Sequence, residues 1–388
     1  MHSSILSKLA RASWGSMARG VWDYNVARHL GTLPPHQLQI NVTYRCNARC
    51  TMCNIWQMED RPEMTVDDFS TLLNDSLFAS IDRLTIAGGE PSVRADLVSL
   101  VEVFLDKMPR LRSLTLITNG LAVDRILGAS EAIVSLCTPR KVSYNVSVSL
   151  DGVGAIHDRM RNVPGAFERV ERCLAGLKEL QKTHFFWLGA SCVITRPNLY
   201  HVRELRQWCA ERDIELDFQI VGFHKTYVAN LDRRSELDFD EADRQYLFEF
   251  MQELASPHSP MDVMSFYWHD MLCMYRDGCA RTTPCPSQFD SFVLDAWGDV
   301  YYCLSERKIG NCRSTTTECP DAVNPGASVA EPCSAIYYAP ENLAFREQLR
   351  RTACLRCNSA CFANVGIKKD LKGYLWFLLR RSLPKVGS

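Results

Sequence analysis

The chain has 388 residues with 44 basic and 45 acidic side chains, a formal charge of −1 that gives no electrostatic case for nucleic acid. That length supports a sizeable core, or a main domain with a smaller appendage, and no apolar run reaches the ~20 residues that a membrane-spanning helix needs. Of 17 cysteines, 10 lie from Cys273 to Cys361 with no secretory signal pattern before them, so metal binding in a reducing, cytoplasmic compartment is favoured over disulfides.

Residues 1–37 interleave Lys8, Arg11 and Arg19 with Ile5, Leu6, Leu9, Trp14, Met17 and Trp22 at helical spacing. This predicts an amphipathic helix docked on the body of the protein, with a membrane-surface helix or a targeting peptide as alternatives. From Leu38 onward, extended segments near 38–45, 83–87, 113–118, 141–150, 187–195 and 214–221 alternate with helical patterns near 65–79, 95–108, 122–136, 165–182 and 201–212. Thr65, followed by Asp67 and Asp68, is a good helix start, and Pro197-Asn198 precedes another. Such alternation predicts an α/β domain with parallel strands and right-handed crossovers.

Strand parity adds the shape. In 141–151, Val142, Tyr144, Val146, Val148 and Leu150 alternate with Ser143, Asn145, Ser147, Ser149 and Asp151. Leu38, Ile40 and Val42 alternate with Gln39, Asn41 and Thr43, and Ile214, Leu216, Phe218 and Ile220 with Glu215, Asp217 and Gln219. One face is therefore apolar and the other polar, whereas a parallel sheet covered on both faces reads as continuously apolar. We expect a partial (β/α)6 barrel, TIM-like but open, whose polar inner face lines a cavity.

Chemistry in such folds gathers at the carboxyl ends of the strands. There lie Cys46, Cys50 and Cys53 after the first strand and Gly88-Gly89-Glu90-Pro91 after the second. Thr118-Asn119-Gly120, Ser149-Leu150-Asp151-Gly152 and Val193-Ile194-Thr195 end the next three. Three thiols within eight residues, with no cysteine again until Cys137, suit an iron–sulfur cluster that keeps one iron open. A zinc site completed by a distant residue is the alternative. A Gly-Gly pair permits close backbone approach to a ligand, and a carboxylate beside it can receive an ammonium group.

The spacing Cys46-x3-Cys50-x2-Cys53 resembles the signature of the radical S-adenosylmethionine (SAM) superfamily, with Met52 standing where that family often has an aromatic residue. The resemblance covers roughly residues 38–225 and implies that the three thiolates hold a 4Fe-4S cluster whose fourth iron is chelated by SAM. It implies SAM contacts from Gly88, Gly89, Glu90 and Pro91 to the amino group, from Asn119, Ser149 and Asp151 to the ribose or methionine moiety, and from the strand at Ile194 to adenine. The run from Ser149 to Gly152, followed by His157-Asp158 and Arg161, is frequent in members that carry cysteine-rich C-terminal domains.

Residues 226–284 read as a helical connector, helical from Leu237 to Leu254, broken at Ser256-Pro257-His258-Ser259-Pro260 and followed by a short helix rich in aromatics and Met. In 285–365, Phe292–Leu294 and Val300–Tyr302 flank Gly298 as a β-hairpin between Cys285 and Cys303, and Cys354, Cys357 and Cys361 follow a polar stretch. Four thiolates can close an iron–sulfur cluster or a zinc site, and spacing does not separate the two.

This region resembles the auxiliary-cluster domains called SPASM and twitch, while departing from the full SPASM spacing at Cys361. The resemblance implies a second, auxiliary 4Fe-4S cluster on Cys285, Cys303, Cys354 and Cys357. A further cluster using Cys312, Cys319, Cys333 or Cys361 stays open. Cys137, Cys173, Cys192 and Cys209 read as packing residues, Cys273 and Cys279 as candidate hydrogen-atom donors, and 366–388 as a tail with a docking helix.

The expected activity is reductive cleavage of SAM to a 5′-deoxyadenosyl radical that abstracts hydrogen from a polar small molecule. Dehydrogenation or epimerisation would follow, with electrons from a flavodoxin or ferredoxin-like donor. Maturation of a ribosomal peptide is the competing reading, against which the short segment before Leu38 leaves no room for a separate peptide-binding domain. A non-enzymatic, metal-stabilised binding protein is the alternative of another class.

Overall fold

The structure, a computed structural model, describes residues 18–256, 263–313, 331–360, 363–370, 372–375 and 377. In chain order the elements are α1 (18–25), β1 (Gln37–Thr43), α2 (Val66–Leu72), β2 (Arg83–Gly88), α3 (Leu97–Lys107), β3 (Ser113–Thr118), α4 (Val123–Cys137), β4 (Ser143–Ser149), α5 (Ala155–Arg161), α6 (Ala166–Leu180), β5 (Trp187–Ile194), α7 (Val202–Glu211) and β6 (Glu215–Ile220). They continue as α8 (Arg234–Leu237), α9 (Glu241–Ala255), α10 (Met264–Asp277), β7 (Ser291–Asp295), β8 (Asp299–Tyr301), β9 (Gly310–Asn311), α11 (Cys333–Tyr338), α12 (Pro340–Arg351) and α13 (Ala363–Lys369). Two compact units result, one of residues 35–240 and 291–346, the other of 1–34, 241–290 and 347–388.

In the first unit, the six alternating segments form six parallel strands in sequential order, β1 through β6. The parity holds: Tyr144, Val146 and Val148 of β4 are buried, while Asn145, Ser147 and Ser149 on the other face are half-buried. The apolar face packs on helices whose buried residues recur at i, i+3, i+4 and i+7, such as Leu97, Leu100, Val101, Phe104 and Leu105 of α3. Thr65 and Asp68 close a capping box at α2, with Asp68 N–H donating to Thr65 Oγ1 at 3.2 Å and Thr65 N–H to Asp68 Oδ2 at 2.9 Å. Asn198 closes the corresponding box with Thr195 ahead of α7.

The sheet is open, and it is larger than the sequence suggests. The β7–β8 hairpin, expected within a separate C-terminal domain, pairs with the core: β7 runs parallel to β1, Ile40 opposite Leu294, and β8 and β9 continue the sheet to nine strands. This makes β1 a central strand buried along its whole length, Gln39, Asn41 and Thr43 included. The polar inner face is thus half-buried along β2 to β5, whereas Glu215 and Asp217 on the edge strand β6 are exposed.

The second unit is built from helices, with α9 packing on α10. Tyr24 of α1 stacks edge-on with Phe289 at 5.4 Å and donates to Asp290 Oδ1 at 3.2 Å, while Lys369 Nζ pairs with Asp290 Oδ2 at 2.6 Å. The described end of the N-terminal helix is therefore docked within its unit. Residues 1–17, with most of the predicted amphipathic pattern, and 378–388 lie outside the described residues.

If β7 is a full member of the sheet, Leu294→Ala removes a wholly buried side chain and should destabilise the protein by about 2–5 kcal/mol in urea unfolding, as Ile40→Ala should. A main transition indifferent to Leu294→Ala would place the hairpin outside the cooperative core.

Candidate functional site

The cysteine loop leaves β1 at Thr43, and two anchors set its course. The Glu63 carboxylate accepts Thr43 Oγ1–H at 2.8 Å and Tyr44 N–H at 2.7 Å. The second anchor is the C-terminus of α5, where Asn162 takes the left-handed conformation (φ 51°). Helix ends leave carbonyls without intrahelical partners. Here those of Met160 and Arg161 accept Thr51 N–H at 2.9 Å and Arg49 N–H at 3.2 Å.

The sulfurs are surrounded by donors. Ala48 N–H and Asn119 Nδ2–H point at Cys46 Sγ (3.4 and 3.8 Å), and Arg161 Nη1–H at Cys50 Sγ (3.6 Å). Burial, with the neighbouring Cys50 adding to it, pushes the Cys46 thiol up to about 11 and the Cys53 thiol up to about 12. Three neighbouring thiols, of which burial keeps Cys46 and Cys53 from ionising alone, with donors aimed at the sulfurs of Cys46 and Cys50, are a set that a cationic iron–sulfur cluster would satisfy as thiolates, and the residues fit that group.

Gly88 and Gly89 answer first to packing. A Cβ at Gly88 would collide with the Thr43 carbonyl oxygen and one at Gly89 with that of Arg45, and Gly88 sits at φ 136°. The glycines thus let the end of β2 lie against the cysteine loop, with Gly89 N–H donating to Thr43 O at 2.7 Å and Glu90 N–H to Arg45 O at 2.9 Å. The Glu90 side chain is 1% exposed and points inward. Its carboxylate accepts Thr118 Oγ1–H (2.7 Å), Asn119 N–H (2.7 Å) and Ser92 N–H (3.1 Å), while burial raises its pKa. The carboxylate therefore ties the β2 rim to the β3 rim. Pro91 is buried in the short turn that follows.

Asn119 faces the cysteine loop, donating to Asn47 Oδ1 at 2.7 Å. Ser149 stands half-buried at the end of β4 on the inner face. Asp151 is turned away: Oδ1 accepts Val193 N–H at 3.0 Å, and Oδ2 pairs with Arg161 Nη2 at 2.6 Å. Ile194 is fully buried on the helix-packed face, so Val193, not Ile194, presents its side chain inward from β5.

Three contributors have roles that spacing does not reveal. Arg161 joins Asp151 to Cys50, a role visible only once α5 is folded. Asn230, read as connector, donates to Met52 O at 2.9 Å and Gly222 O at 3.0 Å, and Tyr227 Oη–H bonds Gly88 O at 3.1 Å. The stretch 222–232 therefore covers the cysteine loop.

The second thiol set is split. Cys285, Cys354 and Cys357 belong to the helical unit and Cys303 to the sheet unit. Arg281 stands beside Cys285 and Cys357, and its guanidinium is held by the carbonyls of Thr283, Cys357 and Ser359 at 2.8–3.0 Å. Burial pushes Cys285 up to about 11 against the pull of Arg281. Cys273 and Cys279, expected as free thiols, are joined in a disulfide where Gly278 (φ 69°) reverses the chain after α10, so neither carries an S–H. Cys137, Cys173, Cys192 and Cys209 are buried, Cys319 and Cys361 lie outside the described residues. No helix among the described residues is long and apolar enough to cross a membrane.

Residues 40–191 match the family model described as the Radical SAM superfamily. The chain is 31% identical over 249 residues to an Fe-coproporphyrin III synthase of Methanosarcina barkeri, an alignment covering 60% of this chain and 58% of that relative's length. It is 24% identical over 329 residues to a GTP 3',8-cyclase of Acidothermus cellulolyticus, covering 78% and 83%. Among solved structures, native anSMEcpe with bound AdoMet matches with a TM-score of 0.55 at 17% identity, covering 89% of this chain and 97% of that one, a likeness of fold.

Arg161→Met should cost about 3–5 kcal/mol in urea unfolding, because it leaves the buried Asp151 carboxylate unpaired. Adding Asp151→Asn keeps an acceptor for Val193 N–H and should recover a large part of that loss. A single variant as stable as the double would show that the pair is not a buried ion pair.

Proposed function

Because residues 40–191 are a radical SAM domain, we propose that this chain is a radical SAM enzyme acting on a polar small molecule, with dehydrogenation or epimerisation as the outcome. The observation that carries the reading is the cysteine loop: three thiols at the carboxyl end of β1, with N–H and guanidinium donors on Cys46 and Cys50, lying against Gly88-Gly89. When bound, a 4Fe-4S cluster and SAM together supply a carbon-centred radical able to abstract hydrogen.

The chain's own residues do the rest. Cys46, Cys50 and Cys53 hold the cluster, and Arg161 and Asn119 steady their sulfurs. Backbone groups of Gly88 and Gly89, with Asn119 and Ser149, face the SAM side of the rim. The inner face along β2 to β5, with Thr85, Thr115, Asn145, Ser147 and Ser191 half-buried, offers hydroxyls and amides that orient a polar substrate. The two relatives, an Fe-coproporphyrin III synthase and a GTP 3',8-cyclase, do not point to one substrate, so the polarity of this face is the guide.

Cys285 and Cys357 beside Arg281, with Cys354 in the same unit, support an auxiliary iron–sulfur cluster that passes electrons. A reduced flavodoxin or ferredoxin-like protein in a reducing, cytoplasmic setting would supply the electron that starts the reaction.

Anaerobically purified protein should contain about eight irons per chain, four for each cluster. Reduced with dithionite, it should release 5′-deoxyadenosine from SAM, and a variant with Cys46, Cys50 and Cys53 all changed to Ala should release none. Zinc in place of iron, or no 5′-deoxyadenosine from fully reconstituted protein, would overturn the enzyme reading in favour of a metal-stabilised binding protein.

A further inference from the structure

Two of the remaining cysteines meet within the sheet unit, apart from both thiol sets. Cys312 follows β9, and Cys333 opens α11. The Cys333 side chain interacts with that of Cys312, whose Sγ–H donates to Gly298 O at 3.3 Å while Cys312 N–H bonds the same carbonyl at 2.9 Å. Both are buried, Cys333 at 1% and Cys312 at 7% exposure, and both line a half-open cavity of about 550 Å³. Asp68, Asp75, Glu331 and Arg313 also line it. Asp75 is fixed there by Ser334, whose N–H and Oγ–H each donate to its carboxylate at 2.9 Å.

This environment is the reverse of the one around Cys46 and Cys50. There N–H and guanidinium donors point at sulfur, the arrangement that suits metal-bound thiolates. Here the Cys312 sulfur gives its own proton to a carbonyl, and Cys333 lies against Cys312 with the Asp75 carboxylate close by. Two buried thiols that interact at one cavity wall need only a short approach to reach the bonded separation of about 2.05 Å.

We propose that Cys312 and Cys333 form a reversible dithiol–disulfide site, oxidised by a small amine-bearing disulfide that enters through the cavity. Cys312, the more exposed, attacks one sulfur of the incoming disulfide as a thiolate. Its proton leaves with the first released thiol, and a mixed disulfide remains on Cys312. Cys333 then attacks the Cys312 sulfur and expels the second thiol, which takes the Cys333 proton. The protein thiols lose two electrons and two protons, and the small disulfide becomes two thiols. Among the described lining residues, three carboxylates against one guanidinium favour a cationic oxidant such as cystamine over the anionic glutathione disulfide. The neighbouring Cys312, burial and Asp75 together keep the Cys333 thiol protonated, so the second step is slow and accelerates with rising pH.

The test uses the full chain carrying its iron, exposed anaerobically to cystamine or glutathione disulfide, quenched by alkylation in denaturant and digested with trypsin. Cleavage at Lys308, Arg313 and Arg346 separates Cys312 in peptide 309–313 from Cys333 in peptide 314–346. A linked pair, lighter by two hydrogens than the free peptides and assigned to Cys333 by fragmentation, should form severalfold faster with cystamine. Cys333→Ser should hold the mixed disulfide on Cys312, Cys312→Ser should slow adduct formation at Cys333, and both variants should keep the wild-type iron content. Separately alkylated Cys312 and Cys333 after oxidation, or linkage through Cys319, would overturn the proposal. So would loss of about four irons per chain in either variant, which would make these residues cluster ligands.

Discussion

One guanidinium carries much of the sheet unit's order. Arg161 ends α5, pairs with Asp151 at the rim of β4 and reaches Cys50 in the loop after β1. A charge so buried is tolerable only with a partner, and Asp151 supplies it. The pairing fixes the last turn of α5, whose free carbonyls then hold Arg49 and Thr51 by their amides. The thiol loop is thus clamped by a helix end that its own sequence neighbourhood does not contain.

A second constraint is the close approach of β2 to the same loop. The Thr43 and Arg45 carbonyls occupy the space that side chains at 88 and 89 would need. Glu90, buried directly after them, spends its carboxylate on Thr118, Asn119 and Ser92. A motif that reads as ligand-binding therefore works first as a fastener between rims, and what it presents outward is backbone. The same economy governs Asp151, whose charge is consumed inside the protein.

The cysteines divide by their hydrogen-bond surroundings more clearly than by their spacing. Cys46 and Cys50 receive donors, Cys137, Cys173, Cys192 and Cys209 are buried as hydrophobes, and Cys312 acts as a donor itself with Cys333 beside it. Cys273 and Cys279 are brought together by the left-handed Gly278, a turn that sequence separation alone does not reveal. Burial and the polarity of the nearest groups, rather than the number of thiols, decide what each sulfur can do.

Local pattern determined most of the sheet unit's core. Period-2 alternation located the six strands and their polar face, because a strand's side chains must alternate, and apolar residues at helical spacing located α3, α4, α6 and α7. The thiol spacing located the cysteine loop, because cluster ligands cluster in sequence. Tertiary structure alone decided that β7 joins β1, since a short apolar hairpin does not encode which edge it will cover. It also decided that Glu90 and Asp151 face inward, that Asn230 and Tyr227 cover the cysteine loop, and that Arg161 meets Cys50. Those outcomes depend on which distant groups satisfy a buried charge or amide, and pairing over such distances leaves no periodicity to read.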